Sequence, residues 1–373
     1  MSTNNITTYV AMDVHKKQHA VAFKAAGLDK PITEFTLNNT VRDIKKAIKK
    51  IKKNSNGPVI CCYESGCLGF ALARQIEDIG AECKVIAPSL VPRRPGDKIK
   101  TDRRDALKLL EYLENGQLVE VLPPSEEQEA VRDLCRAREK AQEDLMRIRH
   151  QISKMLLRNG FAYKDGTHWT QKHLNWVKTL DLGNPLINEV LADLYEELHH
   201  RMNRCKQLEE SIEKIAQQEP YKLPVAMLCC FKGIKTISAM TIISELYSFE
   251  RFSDPNKLMK FLGLIPSEHT SADRVRKGKI TRAGNKRVRR ILIEAAWHQR
   301  NKPIVSKELR KRREGQEQWV INIANKCMKR LYKKYWHLVQ RGKSHHCAVV
   351  AVARELIGFI WDVLHTHLEI SAK

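Results

Sequence analysis

The sequence predicts an α/β domain at the N-terminus, followed by a mostly helical remainder. Residues 1–122 alternate β-rich runs with amphipathic helical stretches, residues 123–220 carry two long heptad seams, and residues 221–373 are basic and largely helical. A chain of 373 residues is long enough for two or three units, each with its own core. We therefore expect three domains with these boundaries.

The first 122 residues show a strand and helix order of β-β-β-α-β-α-β-α. Three β-rich runs joined by short turns predict an antiparallel meander, and an entirely apolar fourth run is typical of a central strand. The predicted strands are Tyr9–His15, Gln18–Ala25, Ile32–Leu37, Val59–Tyr63 and Glu82–Ile86. The predicted helices are about Thr40–Lys53, about Leu68–Ile79 and one that begins after Thr101.

Four carboxylates stand at notable places in this order. Asp102 and Asp105 lie three residues apart in the first turn of the last helix, so they share one face. Acidic residues in a first turn usually cap the helix and compensate its dipole, with Thr101 as the N-cap. Asp13 on the first strand and Glu64 at the end of the fourth favour a functional interpretation. Four oxygen ligands that converge are the set that Mg²⁺ prefers.

The charge balance points to a polyanionic partner. The chain carries 66 Lys and Arg against 43 Asp and Glu, a net charge of +23, and the basic residues become denser after Arg274. Nucleic acid is favoured over a membrane, because no stretch of about 18 uncharged apolar residues is present. The polar N-terminus predicts that no signal peptide is present, so we expect a cytoplasmic protein. The ten cysteines lack paired zinc-ligand spacing, so we expect thiols without a metal-binding role.

Basic side chains cluster in three places where phosphate contact is the natural prediction. They lie beside the carboxylates, in a glycine turn near residue 233, and in the connector and helix after residue 273. For the proline-rich stretch from Pro88 to Lys100, a solvated connector is an equal alternative. The predicted nucleic-acid ligands are Arg93, Arg94, Lys98, Lys100, Arg103, Lys235, Arg274, Arg276, Lys277, Lys279, Arg282, Lys286, Arg287 and Arg290.

Two heptad seams predict long helices in the middle of the chain. One seam runs from Val131 to Met155 with a polar layer at Arg138, and the other runs from Leu191 to Ile215. The seams predict either a helical hairpin within one chain or arms that pair between subunits, and we favour an oligomerisation arm. Further on, the segment from Cys230 to Ala239 resembles a helix-hairpin-helix, in which a glycine turn aims backbone amides at a DNA phosphate. A plain turn between two helices is the alternative.

The element order with its carboxylates resembles the RNase H-like fold of RuvC-type nucleases. Several motifs in order resemble the RuvC-like DEDD transposases of the insertion-sequence-110 group, also described as bridge-RNA-guided recombinases. These motifs are Met12–Lys16, Tyr63–Gly66, Lys100–Ala106 and the block from Pro266 to Asn285. The resemblance implies that the first and fourth strands lie side by side and the last helix packs across them. Asp13, Glu64, Asp102 and Asp105 would then converge on Mg²⁺, with Mn²⁺ as a substitute.

The resemblance also implies a serine nucleophile in the C-terminal domain that forms a phosphoserine link to DNA. The family's Glu-Tyr-Ser-Ser-Gly-like stretch falls here on Glu268–Ala272, so the predicted nucleophile is Ser271, with Ser267 as the second choice. Ala272 and Asp273 replace the glycines that follow the serine in the family. The implied partners are donor and target DNA duplexes, a structured guide RNA and further copies of the chain, as a dimer or tetramer.

Two other classes of function remain open from the sequence. A RuvC-like, metal-dependent, structure-specific endonuclease would use water as the nucleophile, and it would tolerate Ser271→Ala. A non-catalytic DNA-binding protein would bind DNA with steep salt dependence and would not cleave it. The intact carboxylates favour an enzyme over the second alternative.

Overall fold

The computed structural model describes residues 6–27, 30–66, 68–92, 101–268 and 276–371. Contacts between residues divide the chain into two compact units, Met1–Pro124 and Ser125–Lys373. The further division of the second unit into an arm and a C-terminal domain stays a prediction. Among the described residues, no helix combines the length and the apolar composition needed to cross a membrane.

The first unit is a mixed α/β fold whose element order matches the predicted one. Its strands are β1 (Thr8–Val14), β2 (Gln18–Ala25), β3 (Thr33–Asn38), β4 (Val59–Glu64) and β5 (Glu82–Ile86). Its helices are α1 (Val41–Lys53), α2 (Ala71–Glu77) and α3 (Asp102–Glu114).

The five strands form one sheet in the order β3-β2-β1-β4-β5. Strands β1, β2 and β3 pair antiparallel, which confirms the predicted meander. Strand β4 pairs parallel with β1 on one side and with β5 on the other. The predicted neighbourhood of the first and fourth strands is therefore confirmed, and α3 packs on β1, β2 and β4.

Side-chain alternation along the strands gives the sheet two buried faces. Val10 and Met12 of β1 belong to the core that α1 and α2 cover, together with Tyr63 of β4. Ala11 of β1 and Cys62 of β4 belong to the opposite core, which α3 covers. A residue two positions beyond Ala11 or Cys62 therefore points toward the α3 face.

The second unit is almost entirely helical. Its helices are α4 (Glu126–Arg158), α5 (Gln171–Lys178), α6 (Pro185–Ile215), α7 (Lys222–Cys229), α8 (Thr236–Leu246), α9 (Pro255–Phe261), α10 (Lys286–Trp297), α11 (Lys307–Arg313), α12 (Gln318–Gln340) and α13 (His345–Ser371). Two short antiparallel strands, β6 (Pro266–Glu268) and β7 (Lys277–Ile280), form a hairpin between α9 and α10.

The long helices α4 and α6 pack against each other within the chain, as a helical hairpin. This is the alternative to the favoured prediction, and the pairing of arms between subunits stays a prediction. Leu145 and Ile152 of α4 and Leu198 of α6 lie in their shared core. Arg138, the predicted polar layer, donates a hydrogen bond from Nε to Oε1 of Glu209 at 2.8 Å, so its charge is paired across the hairpin. We call this hairpin of α4 and α6, with the segment that joins them, the helical arm.

The remaining helices of the second unit surround a core separate from that of the helical arm, and the turn between α7 and α8 is part of this core. Gly233 in this turn has φ of +89°, and a Cβ there would lie 2.7 Å from the backbone oxygen of Ala295 in α10. The glycine is thus required both by its left-handed backbone and by close packing. Arg313 of α11 is buried and donates from Nε and Nη2 to the carbonyl of Cys230.

Candidate metal centre and nucleic-acid surface

Asp13 and Glu64 are brought together by the register of the two central strands. The pairing of β1 with β4 aligns Met12 with Tyr63, and Asp13 and Glu64 are the next residues along each strand. Ala11 and Cys62 stand two positions before Asp13 and Glu64, and the side chains of Ala11 and Cys62 lie under α3. Strand alternation therefore directs both carboxylates toward the face of the sheet that α3 covers.

Asp102 and Asp105 reach the same face from the first turn of α3. Thr101 is the N-cap, as predicted, and its side chain accepts a hydrogen bond from the backbone N–H of Arg104. The helix is anchored by Ala106 and Leu109, which are buried against the sheet. The helix N-terminus carries a partial positive charge, which favours carboxylates at this end.

His15 joins two of these carboxylates directly. Its Nε2 lies 3.2 Å from Oδ2 of Asp13 and 3.3 Å from Oδ1 of Asp102. Each of the three side chains offers a ligand atom, and the three atoms lie within 4.8 Å of one another. The Asp13 side chain is 20% exposed and the Asp102 side chain is 64% exposed, so the cluster is partly buried at Asp13 and open to solvent at Asp102.

The pKa of Asp13 responds to burial and to three neighbouring side chains, His15, Asp102 and Asp105. Burial raises the pKa of Asp13, the His15 imidazole opposes this effect, and the charges of Asp102 and Asp105 raise the pKa further. Like charges held this close repel one another unless a cation or a proton intervenes. Carboxylate oxygens and an imidazole nitrogen are suitable ligands for a divalent cation, so the residues present fit a metal.

His15 is absent from the predicted ligand set. It lies in the turn after β1, within the motif Met12–Lys16, and the only signal in the sequence was its position two residues after Asp13. A histidine in a turn is commonplace, so the contact with Asp102, which lies far along the chain, had to come from the fold.

One of the two candidate serines, Ser267, lies in the β6–β7 hairpin. Ser271, the predicted nucleophile, lies outside the residues that the structure describes. Ser267 lies in β6, half-buried, and a Cβ at Gly278 of β7 would come 2.4 Å from its Oγ. The Ser267 hydroxyl therefore lies against the glycine backbone of the opposite strand. The role of either serine stays a prediction.

The predicted nucleic-acid ligands divide into three groups. Five fall outside the described ranges: Arg93, Arg94, Lys98, Lys100 and Arg274. Five are exposed on and around β7 and the start of α10: Arg276, Lys277, Lys279, Arg282 and Lys286. The other four contact carboxylates of the protein: Arg103 with Glu34, Lys235 with Glu308, Arg287 with Glu139 and Arg290 with Glu139. Their role in nucleic-acid binding stays a prediction.

Arg287 also belongs to a buried ionic network that the sequence did not reveal. Glu245 of α8 is 1% exposed and accepts from Nε and Nη2 of Arg136 at 2.7 and 2.9 Å. Nδ2 of Asn285 donates to the same carboxylate at 2.6 Å, and Nε of Arg287 lies 3.9 Å from it. Although burial raises the pKa of Glu245, the hydrogen bonds from Arg136 and Asn285 hold it below its usual range.

Comparisons with known proteins bear on both units. The family described as "Transposase IS116/IS110/IS902 family" matches residues 225–310, and the transposase family DEDD_Tnp_IS110 matches residues 10–159. The y4qE protein of Sinorhizobium fredii is 35% identical over 95% of this chain and 88% of its own length. The transposase for insertion sequence element IS1533 of Leptospira borgpetersenii is 33% identical over 90% of this chain and 98% of its own length.

Proposed function

We propose that this chain, which belongs to the IS116/IS110/IS902 family of transposases, cleaves and exchanges DNA strands to move an insertion sequence. The observation that carries the proposal is the cluster of Asp13, His15 and Asp102 at the end of β1. Glu64 and Asp105 are supplied to the same face by strand register and by the first turn of α3.

Asp13, Glu64, Asp102 and Asp105 are the proposed ligands of Mg²⁺, for which Mn²⁺ can substitute. A divalent ion held by these residues would supply Lewis-acid stabilisation of the charge that develops on the scissile phosphate. The protein keeps the carboxylates at fixed positions, because two stand on central strands and two on a helix packed across them. His15 adds a nitrogen that faces the same site.

Ser271 is the proposed nucleophile. Its Oγ would form a bond to the phosphorus while the bond from phosphorus to one backbone oxygen breaks, and the proton lost by the serine matches the one gained by the leaving hydroxyl. The number of phosphodiester bonds is conserved, so a hydroxyl of a new strand can reverse the step without ATP. The exposed cations on β7 and at the start of α10 would bind the strand near this serine.

The proposed partners are donor and target DNA, a structured guide RNA, and further copies of the chain. A charge of +23 supports polyanion binding, and guided recognition would leave sequence choice to base pairing. Joining two duplexes requires more than one active site, which supports a dimer or tetramer. The seams of the helical arm are buried within one chain, so contacts between copies would use other faces of the arm.

A metal-dependent endonuclease that uses water is the second candidate function. The observation that favours it is that Asp13, His15 and Asp102 all lie within the first unit, so hydrolysis at a metal bound there would need no side chain of the second unit. Hydrolysis would leave free ends and no protein adduct. The two candidates therefore differ in a product that can be seen directly.

The experiment that separates these functions is a denaturing gel. The protein is incubated with Mg²⁺, RNA transcribed from the flanks of its element, and labelled DNA from the element junction and target. We expect a protein–DNA adduct for the wild type that is lost in both Ser271→Ala and Asp102→Asn. The exposed-carboxylate variant Asp193→Asn is the matched control and should keep the adduct. Loss of the adduct in Ser267→Ala but not in Ser271→Ala would instead identify Ser267 as the nucleophile. Free cleaved ends, unchanged by Ser271→Ala, would support the endonuclease instead.

A further inference from the structure

A cavity lined by aromatic rings lies between the end of α4 and the segment that joins α4 to α6. The cavity has a volume of about 230 Å³ and is lined by Leu156, Phe161, Tyr163, His168, His173 and Trp176, among others. Its composition differs from the aliphatic seams of the rest of the arm. A space of this size suits one small planar ring system rather than a drug-sized ligand, which needs at least about 300 Å³.

His173 is one of several residues with polar atoms that line this cavity, together with Ser153, Tyr163 and His168. Its side chain is 2% exposed, and among the described residues no donor or acceptor reaches its Nδ1. Its ring centroid lies 4.7 Å from that of Tyr163 and 4.8 Å from that of His168. Buried polar atoms of native proteins are nearly always paired, so the unpaired Nδ1 shows that hydrogen bonding in this part of the arm is incomplete within the described residues.

The surroundings of the cavity are basic. Residues 149–182 contain six Lys and Arg but only two Asp, and Lys154, Arg158, Lys164, Lys172 and Lys178 are all exposed. The guanidinium of Arg149 lies over the Trp169 ring at 5.4 Å, which leaves a cation beside the aromatic cluster. Such surroundings favour an anionic ligand over an apolar peptide.

We propose that this cavity binds one unpaired nucleobase of a single-stranded nucleic acid, while the surrounding lysines contact its phosphates. A base in a single strand combines the two required properties, namely a flat aromatic face for the rings of the lining and a negatively charged backbone for the surrounding cations. Paired bases within a duplex cannot enter, because their faces are already stacked. The proposal rests on the proposed function only in assuming that the chain handles nucleic acid, and the base can come from RNA or from melted DNA.

The test is a binding measurement with single strands of about 12 nucleotides, within the usual site size for such proteins. Labelled RNA, DNA of the same sequence and a matched abasic strand are titrated with the full-length protein by fluorescence anisotropy. We expect Tyr163→Ala and His168→Ala each to weaken binding of a base-containing strand about 5- to 150-fold, the range for loss of one stacked base. Tyr195→Ala, which removes another aromatic ring of the arm, is the matched control and should bind normally.

The same set of strands can overturn the proposal. Equal weakening for the abasic strand would show a loss of charge or fold, and unchanged binding by both variants would show that no base occupies the cavity. Ultraviolet cross-linking of a 4-thiouridine RNA or a 5-iodouracil DNA to the wild type should map to residues 153–176, and it identifies which source binds. Cross-links confined to other segments would refute the site. These measurements follow binding and not cleavage, so failure of the catalytic proposal is distinguishable from failure of this one.

Discussion

At the scale of single residues, the imidazole of His15 lies between two carboxylates that were predicted as metal ligands. Neutral imidazole is a ligand in its own right, whereas Mg²⁺ prefers oxygen and retains several waters. A nitrogen at this position would therefore favour Mn²⁺ relative to a purely carboxylate site. Because His15 contacts both Asp13 and Asp102, removal of its imidazole tests most directly how the site binds metal.

We expect His15→Ala to weaken Mn²⁺ binding by at least about tenfold, the scale for loss of a group that touches metal ligands, and to weaken Mg²⁺ binding less. Calorimetric titration of both ions, with Mn²⁺ also followed by electron paramagnetic resonance, measures this without any turnover. His150→Ala, an exposed histidine elsewhere in the chain, is the control. Tighter metal binding by His15→Ala would mean that the imidazole competes with the ion.

Asp13 should make the metal-free protein less stable at neutral pH. Burial is the main cause that raises the pKa of Asp13 in the folded protein. The contribution of Asp13 to the free energy of unfolding is therefore favourable below its pKa in the unfolded chain, and it is lost as the pH rises through its pKa in the folded protein. We expect Asp13→Asn to raise the melting temperature at pH 7 in the presence of EDTA, and to have little effect at a pH below the unfolded pKa. An equal effect at both pH values would contradict this origin.

At the scale of elements, the network around Glu245 connects three helices of the second unit. The carboxylate from α8 is held by Arg136 from α4 and by Asn285 at the N-cap of α10. Asn285 also accepts from the backbone N–H groups of Arg287 and Val288. The start of α10 is therefore fixed both by its cap and by a buried charge.

We expect Glu245→Gln to lower the free energy of unfolding by about 3 kcal/mol, because it leaves Arg136 without its charged partner. The native pKa of Glu245 lies below the ordinary value of 4.5, so this stabilisation is present above that pH and is lost as the pH falls through the native pKa. Denaturant unfolding at pH 7 and near pH 3 measures both effects. The gap between wild type and variant should narrow in acid, and a constant gap would argue against an ionic origin.

Two glycines with similar backbones allow packing to be separated from strain. Gly284 has φ of +68°, and a Cβ there would lie 1.8 Å from the backbone oxygen of Phe261. Gly315 has φ of +75°, and a Cβ there would meet nothing within 4 Å. We expect Gly315→Ala to cost about 1 kcal/mol, the strain of a left-handed residue, and Gly284→Ala at least about 2 kcal/mol more. Equal costs in chemical denaturation would show that the loops near residues 261 and 284 can separate easily.

At the scale of the whole molecule, the charge of +23 should dominate affinity for nucleic acid. Binding to a polyanion releases counterions, so the logarithm of the affinity should fall linearly with the logarithm of salt concentration. Removing one phosphate contact lowers the magnitude of that slope by about one.

We expect Lys277→Ala, on the exposed strand β7, to reduce the salt slope for DNA duplex binding by about one and to weaken binding uniformly across sequences. Lys49→Ala removes an exposed charge from α1 and is the matched control. Equal reductions in both variants would mean that the affinity reflects total charge alone. Fluorescence anisotropy at four or five salt concentrations decides between these outcomes.

The sequence by itself determined the order of elements in the first unit and the placement of its carboxylates. Alternation along the strands and the N-cap at Thr101 are local patterns, which depend only on residues a few positions apart. The pairing of β1 with β4 followed from the resemblance of that order to a known fold, and the observed sheet confirmed it. Together these features predicted that Asp13, Glu64, Asp102 and Asp105 approach one face.

Only the tertiary structure decided which side chains meet at that face and which cations are already paired. His15 reaches Asp102, Arg136 reaches Glu245 and Arg287 reaches Glu139, in each case across many residues of sequence. It also showed that the two seams of the helical arm bury each other within one chain. The physical reason is that periodicity identifies the face that an element buries, whereas the partner of that face depends on how distant segments pack.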